Sequence, residues 1–168
     1  MHAFVPMASE LTAARSQMAF TLGFHIILVP FGVALTAIML IANYRGIRKG
    51  DETALLLARR WSQVAAVLFA VGAVSGTVLS FELGLLWPTF MQHAGPIIGL
   101  PFSWEGTAFF LEAIAIGLFL YGWERLPRAA HFASGIVVGL SGVASGVLVI
   151  AANGWMNSPR GFRWEGGR

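Results

Sequence analysis

The sequence predicts an all-α integral membrane protein, a single four-helix transmembrane bundle, and three observations carry that prediction. Charged residues make up only 11% of the 168 positions, against 57% hydrophobic ones. A soluble domain carries about 25% charged residues, so this chain has too little charge to cover a water-facing surface. Four apolar stretches each reach the about 20 residues a helix needs to cross a bilayer. Lysines and arginines gather in short clusters between those stretches. That is the pattern of loop anchors, and it argues against a nucleic-acid surface. There is no cysteine, so disulfides, thiolate metal sites and cysteine nucleophiles are excluded.

The first span is expected at about Met18 to Asn43. It is too long for the apolar region of a signal peptide. The second is expected at about Val64 to Leu86, the third at about Trp104 to Trp123, and the fourth at about Phe132 to Asn153. All four must be helical, because lipid offers backbone groups no hydrogen-bond partner. Met1 to Arg15 is expected as an interfacial helix or a frayed end. Trp87, Trp104, Trp123 and Trp155 fall near span ends, at the headgroup level that amphipathic rings favour. Gly72 with Gly76, Gly135 with Gly139, and Gly142 with Gly146 form GxxxG pairs. Such pairs let helix backbones approach closely, and they are read first as helix packing and second as the wall of a cofactor cleft.

Orientation follows from the basic loops. The loop between spans one and two holds Arg45, Arg48, Lys49, Arg59 and Arg60, and the next loop holds no Lys or Arg. Arg125 and Arg128 lie between spans three and four. The rule that cytoplasmic loops are basic therefore puts both termini outside the cytoplasm. Arg160, Arg163 and Arg168 in the C-terminal tail run against the trend.

Ionisable residues inside spans are costly and read as functional by default. His25, Glu82, Glu105 and Glu112 are the four such positions. With this orientation His25, Glu82 and Glu105 meet at similar depth in the outer half of the bundle. Glu105 and Glu112, seven residues apart, share a helix face at about 10.5 Å along the axis. Stacked carboxylates of that kind can accept a cation, relay protons or ligate a metal; the plain alternative is a neutral acid bonded between helices. His25 fits either a core histidine bonded to a backbone carbonyl or a haem-iron ligand. His93 and His131 read as interfacial polar residues. No phosphate-binding loop, HExxH or serine elbow is present.

Four segments go beyond generic membrane chemistry: RSQMAFTLGFHIILVP, SFELGLLWPTFMQHAGPIIGLPF, SWEGTAFFLEAIAIGLFLYGWERL and ASGVLVIAANGWMNSPRGF. In this order they resemble the N-terminal quarter to third of the large subunit (subunit I) of cytochrome bd quinol oxidases, with the cyanide-insensitive branch the nearest in look. The resemblance runs from about Leu11 to Phe162.

The resemblance implies roles residue by residue. His25 corresponds to an axial ligand of a high-spin haem, of b or d type, at the oxygen-reducing end. Glu105 lies beside that haem site, and Glu112 belongs to a buried proton route towards it. Some family members carry one more residue between the two glutamates, which leaves the direction of Glu112 open. The family's low-spin haem ligands, quinol loop and further carboxylate ligand have no counterpart before Arg168. A monomer of these 168 residues is therefore expected to show no quinol oxidase turnover.

The implied function is a short haem-binding subunit in the inner (plasma) membrane of a prokaryote, contributing to quinol oxidation coupled to reduction of dioxygen to water. The implied partners are lipid and either other oxidase subunits or a second copy of the chain. Two other readings stay open: a truncated, non-catalytic relative, and a small proton-conducting bundle without haem.

Overall fold

The computed structural model describes the backbone of residues 4–161 and the side chains from Ser9 onward. Arg163 and Arg168, counted in the basic tail, lie outside the described residues, as do the first three positions of the N-terminal segment. The described residues form four helices: α1 (Phe4–Lys49), α2 (Glu52–Leu86), α3 (Pro88–Tyr121) and α4 (Arg128–Asn157). All four are long and apolar enough to cross a membrane.

Every expected span lies inside one of these helices except the last two residues of the third, Gly122 and Trp123, which fall in the turn after α3. The helices are much longer than the apolar runs. Most of the polar stretch 44–63 is helical and only Gly50 and Asp51 interrupt it, while 88–103 forms the first half of α3. The N-terminal segment from Phe4 onward is likewise the start of α1, with no break before the first span. A helix satisfies its backbone groups internally on either side of the lipid boundary, so hydropathy marks where a helix enters lipid and not where it ends.

The ends have local causes. Gly50 takes a φ of 65°, a left-handed conformation that suits glycine at a helix C-terminus. Asp51 then caps α2 by accepting from the Ala54 N–H at 3.0 Å, and it accepts from Arg45 Nε at 2.9 Å. These bonds, the Ala54 N–H first and the Arg45 guanidinium next, hold the Asp51 carboxyl below the usual carboxylate range. Pro88 begins α3, where its missing N–H costs nothing.

The helices stand in a ring, α1 beside α2, α2 beside α3, α3 beside α4 and α4 beside α1. The α1–α2 and α3–α4 seams are by far the more extensive, so the bundle is two antiparallel hairpins set side by side. Three buried clusters stack along its axis. Met39, Ala42, Ala58 and Phe119 pack at the end with the basic turns. Ala65, Ala115, Ile116 and Val138 fill the middle. Ala94, Ile98 and Ala152 close the other end. Large apolar side chains such as Phe20 (76% exposed) and Leu85 (75% exposed) point outward. In water that surface would be untenable; in a membrane it is the contact with lipid or with further helices.

Candidate functional site

The α1–α2 seam carries two polar rungs within about two turns. At the first, the buried Glu82 carboxylate (4% exposed) accepts through Oε1 from Thr21 Oγ1 at 2.8 Å and Gln17 Nε2 at 3.0 Å. Its Oε2 is buried with no partner among the described residues. At the second, one turn deeper on α1, His25 Nδ1 lies 2.8 Å from Ser75 Oγ. Glu82 therefore shares a seam with His25 but is bonded to other side chains.

Ser75 determines what the imidazole can do. Its hydroxyl carries one proton and donates it to the Gly72 carbonyl at 3.0 Å. In the tautomer with the ring hydrogen on Nδ1, the serine oxygen accepts from it at 2.8 Å and Nε2 keeps its lone pair. Among the described residues Nε2 forms no hydrogen bond. The ring lies over Gly76, where an added Cβ would stand 3.0 Å from His25 Cε1. Only a residue without a side chain leaves the imidazole this close to the α2 backbone.

The α3–α4 seam supplies the carboxylates. Glu105 Oε1 accepts from Ser145 Oγ at 2.9 Å. Glu112 lies against Gly142, where an added Cβ would stand 3.1 Å from its Oε1. Their contact points on α4 are three residues apart, about 4.5 Å along the axis, so the two acids converge although they start seven residues apart. Glu105 is within electrostatic range of both His25 and Glu112. The polar groups of the two hairpins thus face a common region.

The other two described histidines are bonded to backbone carbonyls. His131 is buried (4% exposed), with Nε2 at 2.8 Å from the Phe119 carbonyl oxygen. Its ring stacks on Phe119 and leans on Trp123, each at a centroid distance of 4.3 Å. It is a core residue and not the interfacial one expected. His93 is exposed, and its Nδ1 bonds the Thr89 carbonyl one turn back at 2.8 Å. The glycine pairs divide. Gly135 admits Leu40 and Phe119 and Gly139 admits Leu40 and Thr36, whereas Gly76 and Gly142 receive the ionisable side chains and Gly72 and Gly146 meet nothing within 4 Å.

Among the described residues no three His, Asp or Glu side chains gather to hold a bare metal ion. A porphyrin iron has four ring nitrogens already and asks the protein for only one or two axial donors. A single imidazole with Nδ1 bonded and Nε2 free meets that requirement, so the donor set fits a haem.

Sequence reasoning found His25, Glu82, Glu105 and Glu112 because each is expensive in lipid. It missed Ser75, Ser145, Thr21 and Gln17, the residues that hold them. Hydroxyls return to their own helix cheaply and leave no mark on hydropathy. One signal was available for Ser75: it sits beside Gly76, across a short hairpin from His25.

Comparison with known proteins agrees with this fold. A subunit 1 of cytochrome bd ubiquinol oxidase from Bacillus subtilis (strain 168) is 35% identical over 161 residues, 95% of this chain and 34% of that protein. A putative cytochrome bd menaquinol oxidase subunit I from the same organism is 35% identical over 159 residues, covering 95% and 36%. Subunit 1 of cytochrome bd-II ubiquinol oxidase from Escherichia coli (strain K12) is 30% identical, covering 95% and 31%. The chain thus spans about a third of the length of these curated relatives. The solved bd oxidase of Geobacillus thermodenitrificans superposes with a TM-score of 0.86 at 41% identity, over 92% of this chain and 36% of that one. With the family model for cytochrome bd terminal oxidase subunit I matching residues 13–168, the chain belongs to the cytochrome bd terminal oxidase subunit I family.

Proposed function

We propose that these helices form the haem-binding, oxygen-side part of a bd-type oxidase that oxidises quinol and reduces dioxygen to water. A bound haem, of b or d type, supplies the iron chemistry. His25 holds it through Nε2, with the ring fixed at Nδ1. Glu105 faces the same region. Glu112, next along the face, holds and passes protons towards it. The single observation that carries this reading is the His25–Ser75 bond at 2.8 Å, which leaves the outer nitrogen free as a donor.

The chain works in a prokaryotic membrane beside further oxidase helices or subunits, which cover part of its apolar exterior. Both termini face outward, on the lysine and arginine count. The names of the relatives include both ubiquinol and menaquinol, so the reading stops at quinol.

The test is a reduced-minus-oxidised optical spectrum of the purified protein and of His25→Ala. The variant is expected to insert normally and to lose the high-spin haem signal. A variant that keeps the full haem complement and an unchanged spectrum would falsify the ligand assignment. The same spectrum separates this reading from a haem-free proton-conducting bundle. For orientation, a reporter fused after Arg168 should be active only on the outer side.

A further inference from the structure

We infer that Ser75 is a positioning residue for the haem: it fixes the tautomer and rotation of His25 and thereby sets how strongly that imidazole donates to iron. The inference rests on the proposal that His25 is the axial ligand. The geometry comes in three parts. Ser75 is buried, and it stands 2.8 Å from His25 Nδ1. Its hydroxyl also lies 3.0 Å from the Gly72 carbonyl of the same helix, which takes the serine proton when Nδ1 carries the ring hydrogen. Gly76 leaves the adjacent space into which the ring settles. These contacts fix both ends of the hydrogen bond.

The consequence follows from imidazole chemistry. A ligating histidine usually donates its second N–H to an acceptor, which fixes its orientation and raises its basicity. Electron density drawn towards Nε2 favours ferric over ferrous iron. Removing the acceptor therefore makes the haem easier to reduce, and it lets the ring rotate away from the iron.

Three variants separate hydroxyl from volume: Ser75→Ala, Ser75→Thr and Ser75→Val. Threonine can keep the same back-bond to its helix, and valine has nearly its shape without the oxygen. Each protein is purified from membranes with its native partners, and haem content, optical spectrum and midpoint potential are measured. The alanine and valine variants are expected to show a higher midpoint potential, a shifted high-spin band and haem retention weaker by about tenfold. The threonine variant should resemble the parent in all three. An unchanged spectrum and potential in the alanine and valine proteins would overturn the inference, as would threonine and valine behaving alike. His25→Ala measured alongside keeps the two ideas apart. If it retains the haem signal, the ligand reading fails; if it loses the signal while Ser75→Ala keeps the parental spectrum, potential and haem retention, only the role of Ser75 fails.

Discussion

Two histidines in one bundle end up in opposite chemical situations. His25 is half-buried, bonded at Nδ1 by a serine hydroxyl and open at Nε2. His131 is buried, bonded at Nε2 by the Phe119 carbonyl and closed in by two aromatic rings. Burial alone would have pointed to His131. The instructive difference is which nitrogen the protein has already used. A ring whose outer nitrogen is tied to a helix carbonyl is part of the packing, and a ring held only from behind is available to a ligand.

The largest expected effects break this comparison directly. His25→Ala should abolish the high-spin haem signal with little change in the thermal stability of the detergent-solubilised protein. His131→Ala should do the reverse. It leaves the Phe119 carbonyl in a dry site and opens a gap, for a loss of about 1–3 kcal/mol, while the haem spectrum stays. Loss of haem in the second variant at a temperature where it remains folded would remove the distinction.

Next come the carboxylates. Glu112→Gln keeps shape and loses the titrating group, so oxygen uptake by the assembled oxidase should slow about a hundredfold with haem content unchanged. Glu105→Ala should instead perturb the haem spectrum, because Glu105 is the acid that acts on His25. Uptake at the parental rate in the glutamine variant would take Glu112 off the proton route.

Glycines sharpen the same contrast at smaller scale. A Cβ at Gly135 would meet Leu40 Cδ2 at 2.6 Å and Phe119 Cε2 at 2.8 Å. Overpacking of that kind costs about 1–3 kcal/mol, so Gly135→Ala should lower the unfolding temperature and leave the spectrum alone. Gly76→Ala presses on the His25 ring instead, and its effect should appear in the spectrum. Equal effects on both readouts would mean that the two ends are not separate.

The smallest effect is expected at the α1–α2 turn. The Asp51 carboxyl is held below its ordinary range in the folded chain. Its ionised form therefore stabilises the fold above that range, and the contribution fades as pH falls through the folded value. Asp51→Ala should be slightly less stable than the parent at neutral pH, with the gap closing in acid. A gap that widens in acid would contradict the assignment.

The fold was legible in the sequence wherever lipid selects the residue. All four apolar runs became helices, because nothing else satisfies the backbone there. The stretches 44–63 and 88–103 were read as loops and are mostly helix, since polar residues continue a helix without any hydropathy signal. The site was legible to the same degree. His25, Glu105 and Glu112 stand out by cost, whereas Ser75 and Ser145 are ordinary small residues whose importance lies in what faces them. Pairing across a seam is a tertiary fact, and a single sequence states it only through the length of the turn.

That turn also has a bearing on how the protein assembles. Arg45 meets Asp51 six residues away, whereas His25 meets Ser75 across fifty. Short loops close first because they lose the least chain entropy. The hairpin is therefore expected to zip from Gly50 outward, with the imidazole rung among the last to close. Cross-linking of α1 to α2 during refolding should trap contacts near Ala58 before those near Ser75. A haem captured at that rung would act as a latch on a seam already formed from its other end.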